Sequence, residues 1–370
     1  MTEYNEENRI FSLFLKRLLL TALLFFVTVA GLVFVFDPFY HYHAPLFQLR
    51  PVLTEKEHQV DGTLKHFSYE ALLLGSSHSE NFDLSLAEEL FHMPFVKAIR
   101  SGGNLADLCA YADTAFAHRA PSLVLFNLDA GPLLNPDKNS FSDHDFPLYL
   151  MDDNPFNDVR YLLNKDVLLR RIPYMLAQSA SASYDADRPY SWYAGKTFGA
   201  GITLEHYPRH PRTEPMLDPE EVSDTISGNL ALVCELVEAH PETEFVFFFP
   251  PVSLLYWDSV YRSGLLEQVL YGEERFLTTL LSYENVHAYD FCTDEALITD
   301  LNRYMDFTHY DEKANDAMLR EMADPSSPFR LNAPGDVPVH MHSLRTLLDR
   351  LYTEVLPALE EEGAFHYSDG

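Results

Sequence analysis

The longest unbroken apolar stretch comes first. Residues 18–36 read LLLTALLFFVTVAGLVFVF, with no charged side chain and no polar face. At ~1.5 Å rise per residue, such a helix nearly covers a hydrocarbon core of about 30 Å. A cleaved leader has a shorter apolar region and a small-x-small exit. This run ends in FVFDPF instead, so the pattern predicts an uncleaved transmembrane helix. Arg9, Lys16 and Arg17 precede it, and the first basic residue after it is Arg50. The positive-inside rule then places the N-terminus in the cytoplasm and residues 37–370 outside. The aromatic DPFYHYHAP that follows suits the headgroup level.

Beyond a polar stretch (48–68), short apolar runs alternate with helical periodicity. Ala71–Leu74, Phe95–Ile99, Ser122–Leu128, Glu244–Phe249 and Val286–Phe291 read as five strands. The third is apolar on both faces, as in a sheet covered by helices on each side. Helices are expected from Asp83 to Phe91, from Asn104 through LADLCAYADTAFAH, from Glu220 to His240, from Gly264 to Ser282 and from near Asp311. This order predicts an α/β fold, a doubly wound, flavodoxin-like parallel sheet of order 2-1-3-4-5. The rhythm breaks over 130–217, which is rich in Pro, Asp, Asn and Tyr. It reads as an insertion at the C-terminal sheet edge, since too few apolar residues are present for a second core. The expected organisation is a tail and anchor (1–36), a juxtamembrane linker (37–68), the α/β domain (69–342) and a last helix with its tail (343–370).

Charge and cysteine content narrow the class. Of 370 residues, 47% are apolar and 22% charged, which is a globular composition. There are 26 basic and 56 acidic residues, a net charge of −30. Nucleic acid is therefore not an expected partner, because phosphate contacts need clustered Lys and Arg. The exported part should also repel an anionic membrane surface. Cys109, Cys234 and Cys292 are far apart and no CxxC occurs, so neither a disulfide framework nor that type of zinc site is expected. They read as three buried thiols. His41 and His43 lack a further ligand, so no metal is expected there. The chain has no GxxxxGK[ST] and no HExxH, and no cofactor is expected.

Three features fall at C-terminal strand ends or in loops on the same edge. Gly75-Ser76-Ser77 follows strand one, where a serine hydroxyl can stand exposed beside free backbone N–H groups. Asp306-Phe307-Thr308-His309 precedes the last helix of the sheet. A carboxylate three residues before a histidine can accept from one ring nitrogen and leave the other as a base. Among the 16 histidines only His309 has an aspartate at that position. Ser101-Gly102-Gly103-Asn104 follows strand two, where glycine lets backbone N–H approach a ligand closely. Each also has a plain reading as turn or cap chemistry. Tyr190, Trp192, Tyr193 and Tyr207 in the insertion could stack on sugar rings, or simply pack the insertion onto the sheet.

Taken in order, these blocks resemble the SGNH (GDSL-like) hydrolase superfamily. The resemblance covers roughly 69–130 and 244–322. It implies that Ser77 is the nucleophile, with Ser76 in the place of the family's Asp, and that Asp306 and His309 complete the triad. Gly102 would be the oxyanion glycine. Phe126-Asn127-Leu128-Asp129 lacks the family's G-x-N-D spacing, so Asn127 or Asn104 would supply the side-chain donor. The layout of anchor, exported domain and GSS block is similar to proteins of cell-envelope polymer modification, such as the D-alanyl transfer protein and the alginate acetylation proteins. DPFYHYHAP, GSSHSENF, NPFNDVRYLLNKDVL and DFTHY are also similar to an uncharacterised bacterial family of this kind. The implied function is an extracytoplasmic serine esterase or O-acyltransferase in the bacterial cell membrane. Its partners would be a cell-surface glycan or acylated polymer and a membrane O-acyltransferase that supplies acyl groups. The alternative is a non-catalytic scaffold or glycan-binding module.

Overall fold

The computed structural model describes residues 2–142, 146–152, 154–181, 183–212 and 215–367. The chain divides into two compact units. One comprises Phe67–Phe146 and Asp187–Gly370, and the other Met1–His66 with Pro147–Ala186.

The first unit is built on a sheet of β1 (Ala71–Gly75), β2 (Phe95–Ile99), β3 (Leu123–Asn127), β4 (Glu244–Phe249), β5 (Val286–Asp290) and β6 (Arg330–Leu331). The order is β2-β1-β3-β4-β5-β6. Strands β1 to β5 pair in parallel, so their C-terminal ends share one edge. β6 is antiparallel to β5, pairing Leu331 with Ala288 and Arg330 with Tyr289. The five-stranded expectation is thus corrected to six, because a two-residue strand is too short to show alternation. β1, β2 and β3 are buried along their whole length. In β4 only Glu244 is exposed, and Phe126 and Phe247 pack with ring centroids 5.2 Å apart.

Local chemistry sets the helix starts. Asp83 accepts from the Leu86 N–H ahead of the helix Leu84–Phe91. Asn104 and Asp107 form a capping box on Leu105–His118, satisfying two N–H groups reciprocally. Asp311 accepts from the Ala314 N–H before Glu312–Ala323. The last helix begins at Val337, earlier than the expected boundary at 343, with Pro338 in its first turn. Cys109 and Cys292 are buried as expected, whereas Cys234 is only partly so.

The second unit contains the helix Thr2–Phe36, of which Asn8–Phe36 is long and apolar enough to cross a membrane. Val33, Phe39, Leu150, Tyr161, Val167 and Ile172 form a small core. The expected single insertion is therefore divided. Residues 147–186 belong with the N-terminal segment, and its flanks belong with the sheet. Asp37 organises this core. It accepts from Tyr161 Oη at 2.7 Å and from the backbone N–H groups of His41, Tyr42 and His43. His41 and His43 are not arranged as a metal pair. His41 Nδ1 meets the Leu150 carbonyl, and His43 Nε2 meets that of Phe34.

Candidate active site

The turn after β1 carries the serines. Gly75 is required there, since a Cβ would lie 2.4 Å from Ser79 Oγ and 2.7 Å from Asn127 Cβ. Ser76 Oγ accepts from the His78 N–H and donates to Asn127 Oδ1 at 3.2 Å. Ser76 is thereby committed to holding the turn. Ser77 opens the short 3-10 turn Ser77–Ser79 and remains partly exposed.

Ser77 Oγ lies 2.9 Å from His309 Nε2. His309 Nδ1 lies 2.8 Å from Asp306 Oδ2. Residues 232 apart in sequence thus form a continuous serine–histidine–aspartate relay, with a base in reach of a hydroxyl and a carboxylate in reach of the base. The loop bearing the last two is tightly held. Asp306 Oδ1 accepts from the Thr308 and His309 N–H groups, both at 2.8 Å. Ser253 Oγ donates to the Phe307 carbonyl at 2.6 Å, and Arg303 grips Asp311 with two nitrogens. Burial alone would raise the Asp306 pKa. The His309 hydrogen bond and charge, with the two backbone donors, outweigh it and hold the carboxyl well below the usual range.

Gly102 has φ +65°, a left-handed conformation that costs a side-chain-bearing residue energy. Gly102 and Ser77 line the same cavity, and among the described residues neither N–H has an acceptor. The structure places both asparagines in bonds outside the cavity lining. Asn127 is buried, its oxygen accepting from Ser76 and Ser79 and its amide donating to Asp129 at 3.2 Å. Asn104 caps its helix and donates to the Asn139 carbonyl. Neither lines the cavity; Asn135 does.

The aromatic expectations also change. Tyr190, Trp192 and Tyr193 do not line the cavity. Trp192 Nε1 donates to the Ser77 carbonyl at 3.0 Å, and its ring stands edge-on to His309 at 5.4 Å. Asn81 Oδ1 accepts from the Trp192 and Tyr193 N–H groups. Tyr190 is buried, and Tyr207 is buried with its hydroxyl on Asp258. These rings brace the serine turn and the fold around it. The cavity, about 370 Å³, instead takes its wall from Phe249, Val252, Tyr256 and Trp257. They lie at the end of the apolar β4 and just beyond it, a position that composition alone did not distinguish from core.

One neighbour went unrecognised in the sequence. His78 Nδ1 lies 2.8 Å from Asp129 Oδ1, and its ring packs on His309 with centroids 5.1 Å apart. Its carbonyl accepts from Tyr310 Oη and Asn315 Nδ2. Burial would lower the His78 pKa, but the Asp129 charge and hydrogen bond raise it on balance. The same pairing lowers Asp129 against its own burial. The signal was the histidine directly after GSS, whose partner 51 residues away only the β1–β3 pairing could reveal.

Glu273, Asp290 and His340 bring ligand atoms within 4.8 Å of one another. His340 Nε2 and Asp290 Oδ2, however, are 2.5 Å apart in a direct hydrogen bond. Ligands sharing one ion at about 2.0–2.2 Å each would stand farther apart, so the arrangement is that of a hydrogen-bonded chain. No protein-family model matches this chain, and no curated protein matches it.

Proposed function

We propose that this chain is a membrane-anchored, extracytoplasmic serine esterase or O-acyltransferase of SGNH type, acting on acylated cell-surface polysaccharide or another envelope polymer. The observation that carries this reading is the relay Ser77–His309–Asp306, with successive contacts of 2.9 and 2.8 Å, whose serine and histidine line one cavity with Gly102. Ser77 Oγ attacks the acyl carbonyl carbon while its proton passes to His309 Nε2. Asp306 keeps Nδ1 protonated and stabilises the imidazolium. The Ser77 and Gly102 N–H groups receive the developing oxyanion, each donor contributing on the order of 3 kcal/mol to the transition state. The C–O bond to the leaving alcohol then breaks, and His309 returns the proton to that oxygen. Water, or a sugar hydroxyl deprotonated by the same nitrogen, attacks the acyl-serine and completes hydrolysis or transfer.

Labelling by a serine-directed fluorophosphonate tests the reading. Wild type should label, Ser77→Ala should not, and Ser76→Ala should retain much of the signal because Ser76 Oγ only braces the turn. Equal labelling of wild type and Ser77→Ala would leave the scaffold reading in place. Placement is tested separately. The 8–36 helix and its basic N-terminal flank support a single span with the N-terminus inside. The chain should stay in the membrane fraction through alkaline carbonate washing. Protease added outside wall-stripped cells should degrade the part after residue 36. Full-length protein in the soluble fraction would refute the anchor.

A further inference from the structure

The unit that contains the 8–36 helix leaves large apolar side chains in the open beyond that helix. Phe156 is 89% exposed and Leu169 69%, and Val159 and Leu163 are exposed beside them in sequence. Clustered exposed apolar groups mark a surface that something covers. The helix itself shows at what level they stand. Leu23–Thr28 is exposed, but the last two turns are not: Val33 is fully buried, and Val29, Ala30, Val35 and Phe36 are partly so. Val33 packs with Leu150, Tyr161, Val167 and Ile172. The helical turn Val159–Leu162 and the segment Val167–Arg171 thus lie against the end of the apolar run. The chain also folds back on the other side, where His43 Nε2 meets the Phe34 carbonyl at 2.8 Å. At ~1.5 Å rise per residue, Val33 stands about 4.5 Å inside the end of the run at Phe36. The 18–36 run only just covers a hydrocarbon core of about 30 Å, so a span that kept its last two turns out of the bilayer would be too short. The elements that grip Val33 therefore belong at the depth of the headgroup–acyl boundary.

Charge agrees with that depth. From Val159 to Arg171 the chain carries Arg160, Lys165, Arg170 and Arg171 against Asp166 alone. Arg171 is held by Glu55 and Asp166, whereas Arg160, Lys165 and Arg170 are exposed. This whole unit holds 10 basic and 12 acidic residues, so the net charge of −30 lies almost wholly in the sheet-bearing unit. The repulsion expected between the exported part and anionic lipid does not extend to it. Exposed apolar side chains interleaved with Arg and Lys are the composition of a surface lying in the interface plane. Resting on the reading of the 8–36 helix as a membrane span, we propose that Phe156, Val159, Leu163 and Leu169 are seated in the leaflet that the helix leaves at Phe36, with Arg160, Lys165 and Arg170 on lipid phosphates. The occupant is lipid because this surface continues the lipid-facing side of the helix itself, where Phe34 is exposed above the buried Val33. The unit is then a second, interfacial attachment that adds to the span and restrains its tilt.

Tryptophan fluorescence of the full chain, reconstituted in vesicles of phosphatidylcholine and phosphatidylglycerol, tests this. Phe156→Trp and Leu169→Trp report on the surface and Leu24→Trp on the span. All three positions are exposed, so an indole enters without repacking the core, and the unsubstituted chain supplies the background from Trp192 and Trp257. Phe156→Trp and Leu169→Trp should each lose most of the added emission to lipid brominated near the headgroup end of its acyl chains. Leu24→Trp should lose most of its own to lipid brominated nearer the bilayer centre. Iodide in the water should leave all three nearly unchanged. If Leu24→Trp is quenched by brominated lipid but Phe156→Trp or Leu169→Trp is not, and is open to iodide, the interfacial seat is wrong and the span stands. Shielding of either surface position from both quenchers would mean that protein, such as a second copy of this chain, covers the surface, and also overturns the seat. If Leu24→Trp escapes brominated lipid too and the chain does not float with the vesicles, the anchor reading falls and this proposal with it.

Discussion

His309→Ala is expected to lower kcat/KM for an activated ester by roughly 10⁴- to 10⁶-fold, with Ser77→Ala comparable. The two residues form one unit, a hydroxyl 2.9 Å from the nitrogen that must take its proton. The double variant should therefore be hardly worse than either single one, and strict additivity would contradict the shared mechanism. Asp306→Asn should leave the fold intact. It still offers an oxygen to the Thr308 and His309 N–H groups, which now meet Oδ1. Its loss should fall in kcat rather than KM, by about 10⁴-fold where the wrong tautomer is stabilised. Because the Asp306 carboxyl is held well below its ordinary range, it stays ionised throughout mildly acidic conditions. Acid loss of rate above about pH 4 should therefore not be assigned to it. Steady-state kinetics on the full chain in detergent, from pH 4 to 9, measure all of this.

The largest stability effect is expected at the pair behind the relay. His78 and Asp129 are a half-buried pair in contact at 2.8 Å, both lining the cavity. Removing one partner of a fully buried pair costs about 3–5 kcal/mol, because the other is left uncompensated, and that figure is the upper bound for this half-buried one. Asp129→Leu should thus lower the unfolding midpoint by several degrees and by at most about 20 °C, taking about 2–4 °C per kcal/mol for a domain of this size. The pH dependence has a definite sign. The folded His78 value is raised, so its contribution is full below about pH 6.5 and is lost as pH rises through the raised value. The folded Asp129 value is lowered, so its contribution is full above about pH 3.9 and is lost as pH falls through the lowered value. The gap between wild type and Asp129→Leu should be widest between those limits. Thermal unfolding followed by near-ultraviolet circular dichroism at pH 3, 5.5 and 9 measures it. A gap of constant size across that range would mean the pair is neutral in the folded protein. Since the His78 ring packs on His309, catalysis should fall in the same variant through loosened positioning.

Much of the sheet was legible because its strands are short apolar runs closed by turn residues. Ala71–Gly75 and Phe95–Ile99 match the reading to within a residue. The helix starts at Asp83, Asn104 and Asp311 were equally plain, each being a side chain that can cap its own third successor. β6 was not, since two residues carry no period. Nor was the grouping of 147–186 with the N-terminal segment. The six residues of that core are spread from Val33 to Ile172, and no local pattern links them.

In the site, sequence pattern by itself determined what each short segment can do. Gly75-Ser76-Ser77 must turn, and Asp306 can reach His309 because both lie in one loop. The parallel sheet follows from strands separated by helices, and it sets strand ends along one edge. Which side chains meet across that edge was decided only by tertiary structure. Asn127 fits the role of an oxyanion donor in composition. Ser76 and Ser79 take its oxygen, and Asp129 takes one N–H of its amide. Trp192 reads either as a sugar platform or as packing for the insertion, and its indole N–H donates to the Ser77 carbonyl. Glu273 and Trp257 sit on helices with ordinary amphipathic spacing, and only the packed interior shows that both line the cavity beside Ser77. The physical reason is common to all of these. Secondary structure is governed by neighbours a few residues apart, whereas a buried polar atom is satisfied or left unpaired by groups tens or hundreds of residues away.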